Sequence, residues 1–375
     1  MDDTDRSTGP GIELVPIDVA APTDEAVAGV AAVRERLRRE LEPHDAPGGE
    51  AATRRRLAGI AQVREVAVEV VLARMDDVVV GLGAAIAPIA GDNAHLLQVN
   101  LVVVPEARRR GVGRALATWA LGVARRRGRR LLVDVSHDTV PAGGAFARAL
   151  GASEGMRSRV NELDLERHRE HLFGAEGLVA RWIADGPIRA PGYGIEALPR
   201  PLPEEVLEPF AVLQSSMNDA PRGTLDVEDH VYTAAALRDL DASSAARGDT
   251  TWTLLARRRG DGAFAGFTDL YWNSDNPRVA QQGDTAVAPE HRGHALGKWL
   301  KALMLERLHR ERPDVRVVRT GNADTNAAML GINVALGFVV AREAIVWQVA
   351  TDELARRLER GRRAPPRGSA TAKRT

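Results

Sequence analysis

One stretch occurs twice in the chain, and the duplication restricts the folds open to it. Val104-Pro105-Glu106-Ala107-Arg108-Arg109-Arg110-Gly111-Val112-Gly113-Arg114-Ala115-Leu116 follows an apolar run at 96–104 and opens an amphipathic run at 115–127. Ala288-Pro289-Glu290-His291-Arg292-Gly293-His294-Ala295-Leu296-Gly297-Lys298-Trp299-Leu300 aligns with it without gaps, placing Arg292 on Arg108, Ala295 on Gly111 and Gly297 on Gly113. A strand that ends in a Gly-rich turn and starts a helix leaves several backbone N–H groups unpaired at one point, and the helix dipole adds positive charge there. Glycines let a diphosphate approach the main chain closely. Upstream, Val78-Val79-Val80-Gly81 likewise matches Ala263-Phe264-Ala265-Gly266. Landmarks at nearly constant separation imply two copies of one domain.

At 375 residues the chain has room for two such cores. A formal net charge of zero favours no highly charged partner. The absence of cysteine excludes disulfides, thiolate metal sites and cysteine nucleophiles. Only Lys298, Lys301 and Lys373 are lysines, so nearly all positive charge is arginine, a bias of composition rather than a sign of function. The first ten residues are polar and unlike a signal peptide, and no apolar run is long enough to span a bilayer, so a cytoplasmic protein is expected. The nine arginines between Arg108 and Arg130 lack interleaved aromatics, which argues for a solvated helix face over a nucleic-acid surface. His95, His137, His168 and His171 have no metal-ligand spacing, and no metal is expected.

Hydrophobic patterning predicts the same order in each half. A strand at 12–17 leads to a helix capped by Thr23-Asp24-Glu25 and a second helix at 50–62. Hairpin strands at 64–74 and 78–88 follow, then the strand, turn and helix of the repeat. A strand at 130–136, a helix at 144–150 and a closing strand at 157–165 end the half. Residues 166–186 read as a helical bridge anchored by Leu178 and Trp182, with Pro187, Pro191, Gly192 and Gly194 marking the boundary. The second half repeats with strands at 193–198, 250–258, 263–272, 279–288, 315–320 and 339–349, and helices at 203–217, 227–246, 296–310 and 326–336. A helix at 351–360 ends it. The expected division is a disordered start at 1–10, a first domain at 11–165, a linker at 166–192, a second domain at 193–360 and a disordered basic tail at 361–375.

A strand entering Arg-x-x-Gly-x-Gly/Ala, then helix, strand, and a helix ending in Leu-Gly-Phe, resembles the GNAT superfamily of acyl-CoA-dependent N-acetyltransferases. Both Arg108-x-x-Gly111-x-Gly113 and Arg292-x-x-Ala295-x-Gly297 fit its diphosphate motif. The second copy is the fuller match, carrying Thr320-Gly321-Asn322-Ala323-Asp324-Thr325-Asn326 and Leu336-Gly337-Phe338. The tandem layout is similar to that of mycothiol synthase-like actinobacterial acetyltransferases. The resemblance implies an α/β (α+β) fold of two tandem GNAT-type domains, each a mixed central sheet flanked by helices and splayed where the thioester lies. It implies acetyl-CoA as cofactor. The implied contacts are Val287, Arg292, Gly293, His294, Ala295, Leu296, Gly297, Lys298, Asn322 and Asn326 in the second copy. In the first they are Arg108, Arg109, Arg110, Gly111, Val112, Gly113 and Arg114.

Where the family often has a tyrosine acid this chain has Asn333, and the first copy has Ala147, with Val140 in place of the asparagine and Leu150-Gly151-Ala152 for the closing motif. The first copy is therefore expected to be degenerate and the second catalytic. Amide formation needs a neutral amine in line with a thioester and a group to take its proton. Alternation along the strand puts Gln282 and Asp284 on one face, with Asp284 the candidate base and Gln282 a substrate contact. Gln281 occupies the place of a glutamate base in mycothiol synthases. Asn333 could hydrogen-bond the leaving sulfur, and Asp219 could select a cationic amine. The expectation is an N-acyltransferase acting on a small amine, as monomer or homodimer, without nucleic-acid or membrane partners. The alternatives are a non-catalytic acyl-CoA-binding module or an acetyltransferase of protein or peptide amines.

Overall fold

The computed structural model describes residues 11–363; the expected disorder at 1–10 and most of the basic tail lie outside them. The first half runs β1 Ile12–Ile17, α1 Asp24–Leu41, α2 Gly49–Ile60, β2 Val66–Met75, β3 Val78–Pro88, β4 Leu96–Val103, α3 Val112–Arg126, β5 Leu131–His137, α4 Pro141–Ala149 and β6 Ser153–Asp164. Two helices follow, α5 Arg169–Phe173 and α6 Leu178–Arg189. The second half runs β7 Tyr193–Leu198, α7 Glu204–Gln214, α8 Ala234–Arg247, β8 Asp249–Arg258, β9 Phe264–Asn273, β10 Val279–Val287, α9 Leu296–Glu311, β11 Val317–Ala323, α10 Ala327–Leu336, β12 Val339–Ala350 and α11 Thr351–Arg363. Local chemistry sets several boundaries. The Thr23 hydroxyl accepts from the Ala26 amide at the start of α1, with Asp24 and Glu25 in the first turn and Arg38 and Arg39 in the last. Asp76 and Asp77 take positive φ in the β2–β3 turn.

In each half two parallel strands part company. β4 pairs with β5 only over Leu96–Gln98 and Leu131–Val133, and β10 with β11 only over Val279–Gln281 and Val317–Arg319. Beyond those residues the strands separate, leaving a wedge above each Gly-rich turn.

The closing strands are exchanged between halves. β12 lies between β5 and β6, and β6 pairs in turn with β11, so all twelve strands form one sheet ordered β1-β2-β3-β4-β5-β12-β6-β11-β10-β9-β8-β7. Residues 157–165 and 339–349 were each expected to close their own half; each closes the other.

The expected bridge is core. Leu172 and Val179 are fully buried with Trp299, Leu300 and Met304 of α9, and α6 continues through Pro187 to Arg189. The helix expected from 227 starts only at Ala234. The preceding segment is extended, because its main chain bonds the first half: the Glu228 amide donates to Asn93 Oδ1 at 2.9 Å, and the Asp226 carbonyl meets His95 Nε2 at 2.9 Å.

Candidate acyl-transfer site

Both Gly-rich turns have the geometry of an anion cradle. After β4 the chain makes one 3-10 turn, takes positive φ at Arg109 and Gly111 and enters α3. After β10 it makes the same turn, takes positive φ at Gly293 and Ala295 and enters α9. Ala295 at φ 58° occupies the conformation that glycine has in the first copy, at a cost of about 1 kcal/mol. Among the described residues, the amides of 109–114 and 293–297 find no backbone acceptor. The charged side chains of the turns are largely engaged elsewhere. Arg108 forks onto Glu40. Arg292 donates to the Val287 carbonyl at 3.0 Å and to Asp219 at 2.6 Å. Arg114 caps the Leu358 carbonyl, Lys298 lies over the Trp182 ring at 5.4 Å, and His294 packs beside Tyr193. Arg109 and Arg110 are exposed. The donors left for a diphosphate are thus mainly main-chain amides and the helix dipole.

The two wedges differ in chemistry. In the second, Lys301 of α9 is 2% exposed and donates to Asn333 Oδ1 at 2.9 Å, and Asn333 Nδ2 donates to Asn322 Oδ1 at 2.7 Å. Burial alone pulls the Lys301 ammonium down to about 7. Asn161 of the exchanged β6 is buried beside Thr320. Asn326 caps α10 through the Met329 amide. The corresponding positions in the first wedge are Ala117, Ala147, Ser136 and Trp347. There the Trp347 indole donates to Ser136 at 2.8 Å, and with Phe146 it walls a void of about 90 Å³. One wedge has a polar lining and the other is filled by an indole.

A cavity of about 860 Å³ lies between the face of β8, β9 and β10 and the first half's α1 and α2. A β-bulge between Gln282 and Thr285 resets the alternation of β10. Gln281, Gly283 and Asp284 therefore line the cavity, while Gln282 turns inward and donates to Thr268 Oγ1 at 3.0 Å. The expectation that Gln282 and Asp284 share a face fails for this reason. Asp219 is paired with Arg292 at the second Gly-rich turn and does not line the cavity.

Most charge in the cavity is internally matched. Asp45 and Glu42 hold Arg319, and Glu42 also holds Arg342. Arg38 and Arg39 hold Glu35, Arg200 holds Asp241, and Arg247 holds Asp249. Asp269 accepts from Thr253 and Arg200, and burial pushes its carboxyl up to about 6. Among the described residues, three charged side chains of the lining remain without a hydrogen-bond or ion-pair partner, Arg34, Arg56 and Asp284, and the uncharged Gln214, Tyr271 and Gln281 and the imidazole of His137 have none either. Asp284 and Arg56 are open to cavity water yet surrounded by protein. Burial raises the Asp284 carboxyl above its ordinary range. Burial, then the charge of Arg56, pulls Arg34 down to about 10; burial, then Arg247, lowers Arg56. Sequence reasoning misses both arginines, since arginine is everywhere in this chain, and misses Lys301, whose one available signal is the rarity of lysine.

Residues 22–152 match the Acetyltransferase (GNAT) family, so the match falls in the half expected to be degenerate and not in the copy that looked fuller. No curated protein matches the chain. Among solved structures, the tandem GNAT protein from the clavulanic acid biosynthesis pathway is similar over 91% of this chain and 98% of its own, with a TM-score of 0.72 and 29% identity. A GCN5-related N-acetyltransferase from Sphaerobacter thermophilus has the same fold over 90% of this chain and 96% of its own, at TM-score 0.61 and 14% identity. A fungal glucosamine N-acetyltransferase region, within a multi-domain GH3 β-N-acetylglucosaminidase, aligns with 91% of this chain and 38% of that one, also at TM-score 0.61 and 14% identity. Duplicated turn, paired wedges and these likenesses together give the chain a tandem GNAT-type fold, with residues 22–152 matching the acetyltransferase (GNAT) family.

Proposed function

We propose that the chain moves an acetyl or other short acyl group from CoA to the amine of a small molecule, with the chemistry in the second half. The observation that supports this most is Asp284. Among the described residues it is the one unpaired carboxylate lining a large, partly open cavity, set by the β10 bulge on the strand that leads into the second Gly-rich turn. The residues present fit acetyl-CoA, because the 293–297 amides are free and the wedge beside them is polar. Acetyl-CoA supplies a thioester carbonyl when bound. The main-chain amides of Gly293, His294, Ala295, Leu296 and Gly297 hold the diphosphate, and Asn322, fixed by Asn333 and Lys301, lines the path of the pantetheine arm. Asp284 takes the proton that an ammonium must lose, and a raised carboxyl pKa suits it to work near neutral pH. The first-half wedge, filled by Trp347 and Phe146, argues for one CoA per chain. Helices lying over the strand face favour a small acceptor over a protein surface.

Calorimetry with CoA and thiol release from acetyl-CoA over an amine panel test this reading. One CoA is expected per chain. Asp284→Asn is expected to lower kcat by about 10²–10⁴-fold while leaving CoA affinity within about threefold. No CoA uptake, or full turnover in Asp284→Asn, would overturn it.

A further inference from the structure

We propose that the acceptor is a small zwitterion, an amine that also carries a carboxylate or phosphate, with its oxyanion held by Arg34 and Arg56 and its nitrogen facing Asp284. This rests on acyl transfer in the second half and names its substrate class.

The cavity contains many ions, but pairing cancels nearly all of them. What remains is two cations on one wall and one anion on another. Arg34 comes from α1 and Arg56 from α2, so the first half supplies the cationic wall of a site whose base stands on β10. Arg34 is close enough to Arg56 to feel its charge, and it is half-buried, while Arg56 opens onto the cavity water. Two like charges in such a place destabilise the free protein, and a bound oxyanion removes that penalty. Guanidinium also has the planar fork that matches carboxylate or phosphate. Tyr271, which lines the same cavity, feels the charge of both Asp284 and Arg56.

The inference accounts for the position of the first half. A degenerate copy that only propped up the second would have no reason to direct unpaired arginines into its neighbour's cavity. A neutral amine would leave both cations unanswered, and a polyamine would be repelled by them.

The test uses the full-length protein, acetyl-CoA and matched acceptors: α-amino acids beside their amides, and phosphoethanolamine beside ethanolamine. The anionic member of a pair is expected to exceed the neutral one by at least about tenfold in kcat/KM. Whichever pair shows the larger ratio identifies carboxylate or phosphate. Arg34→Gln and Arg56→Gln should each narrow that ratio by about ten- to a hundredfold, mostly through KM of the anionic member. Without acceptor, the same variants should keep or raise Tm, whereas arginines that merely brace the fold would lower it when removed. Neutral amines used as well as their anionic partners would overturn the inference and leave acyl transfer standing. So would arginine variants that lose Tm with an unchanged ratio. Absence of thiol release with every acceptor removes both readings.

Discussion

Lys301 is the residue at which this chain departs furthest from its own habits. Arginine outnumbers lysine heavily, yet among the described residues the most deeply buried Lys or Arg side chain is a lysine. Arginine stays charged at every accessible pH, whereas lysine can shed its proton where water is excluded. The folded ammonium titrates near about 7 against 10.5 for the free side chain. Below the folded value the native state must bury a charge, and the penalty is fully present. As pH rises from about 7 toward 10.5 the unfolded chain binds the extra proton, so stability climbs, by at most about 5 kcal/mol over the whole window. In urea the wild-type midpoint should therefore rise between pH 8 and pH 9.5, and that of Lys301→Met should stay flat. Methionine leaves Asn333 Oδ1 without its donor, a constant offset that does not change the slope. Lys301→Arg should lose more than about 2 kcal/mol at both pH values, since it cannot discharge. Parallel profiles for wild type and Lys301→Met would refute the account. Asn333 is readable from its place before Leu336-Gly337-Phe338; Lys301 is not, because one lysine in a helix looks solvated until the neighbouring elements are in place.

Among the elements, those with a strong period were legible and those decided by distant partners were not. Strands at 12–17 and 78–88, the Thr23 cap and the α10 cap at Asn326 follow from local chemistry, and the structure has them. The β10 bulge inserts a residue without any composition signal, and it decides which of Gln281, Gln282 and Asp284 reach the cavity. The segment before Ala234 has helix-compatible residues but spends its backbone donors on distant partners, the Glu228 amide on Asn93 of the first half and the His230 amide on Asn218. The helical bridge gives the sharpest test. A linker helix tolerates alanine for glycine, and the change even favours helix by about 1 kcal/mol. In α6, however, a Cβ on Gly186 would sit 2.4 Å from the Trp299 indole. Gly186→Ala should thus destabilise by about 1–3 kcal/mol, lowering the urea midpoint and perturbing Trp299 fluorescence. A midpoint at or above wild type would return α6 to the role of a spacer.

For the whole molecule, the duplication was legible and the exchange was not. β6 and β12 occupy equivalent places in the repeat and have similar length and alternation, so nothing in either strand says which half it closes. The exchange has mechanical consequences. Neither half has a complete sheet without the other, and the cavity takes its unpaired carboxylate, Asp284, from one half and its unpaired cations from the other. Trp347 shows how the coupling works. It belongs to the last strand of the chain, is 3% exposed, packs against Gly144 and donates to Ser136, both in the first half. Truncating a buried indole costs about 3–5 kcal/mol. If the halves were separate domains, Trp347→Ala would weaken one and leave the other's transition in place. Because β12 lies between β5 and β6, the loss should instead pull down a single shared transition, with far-UV circular dichroism and tryptophan fluorescence still coincident in urea. A variant that splits the curve, with one half melting early and the other at the wild-type midpoint, would show that the exchanged strands do not couple the halves. The same variant reports on cofactor stoichiometry. Removing the indole opens the first wedge beside a turn whose amides are already free, so CoA binding should stay at one per chain in the wild type and rise only where Trp347 is gone.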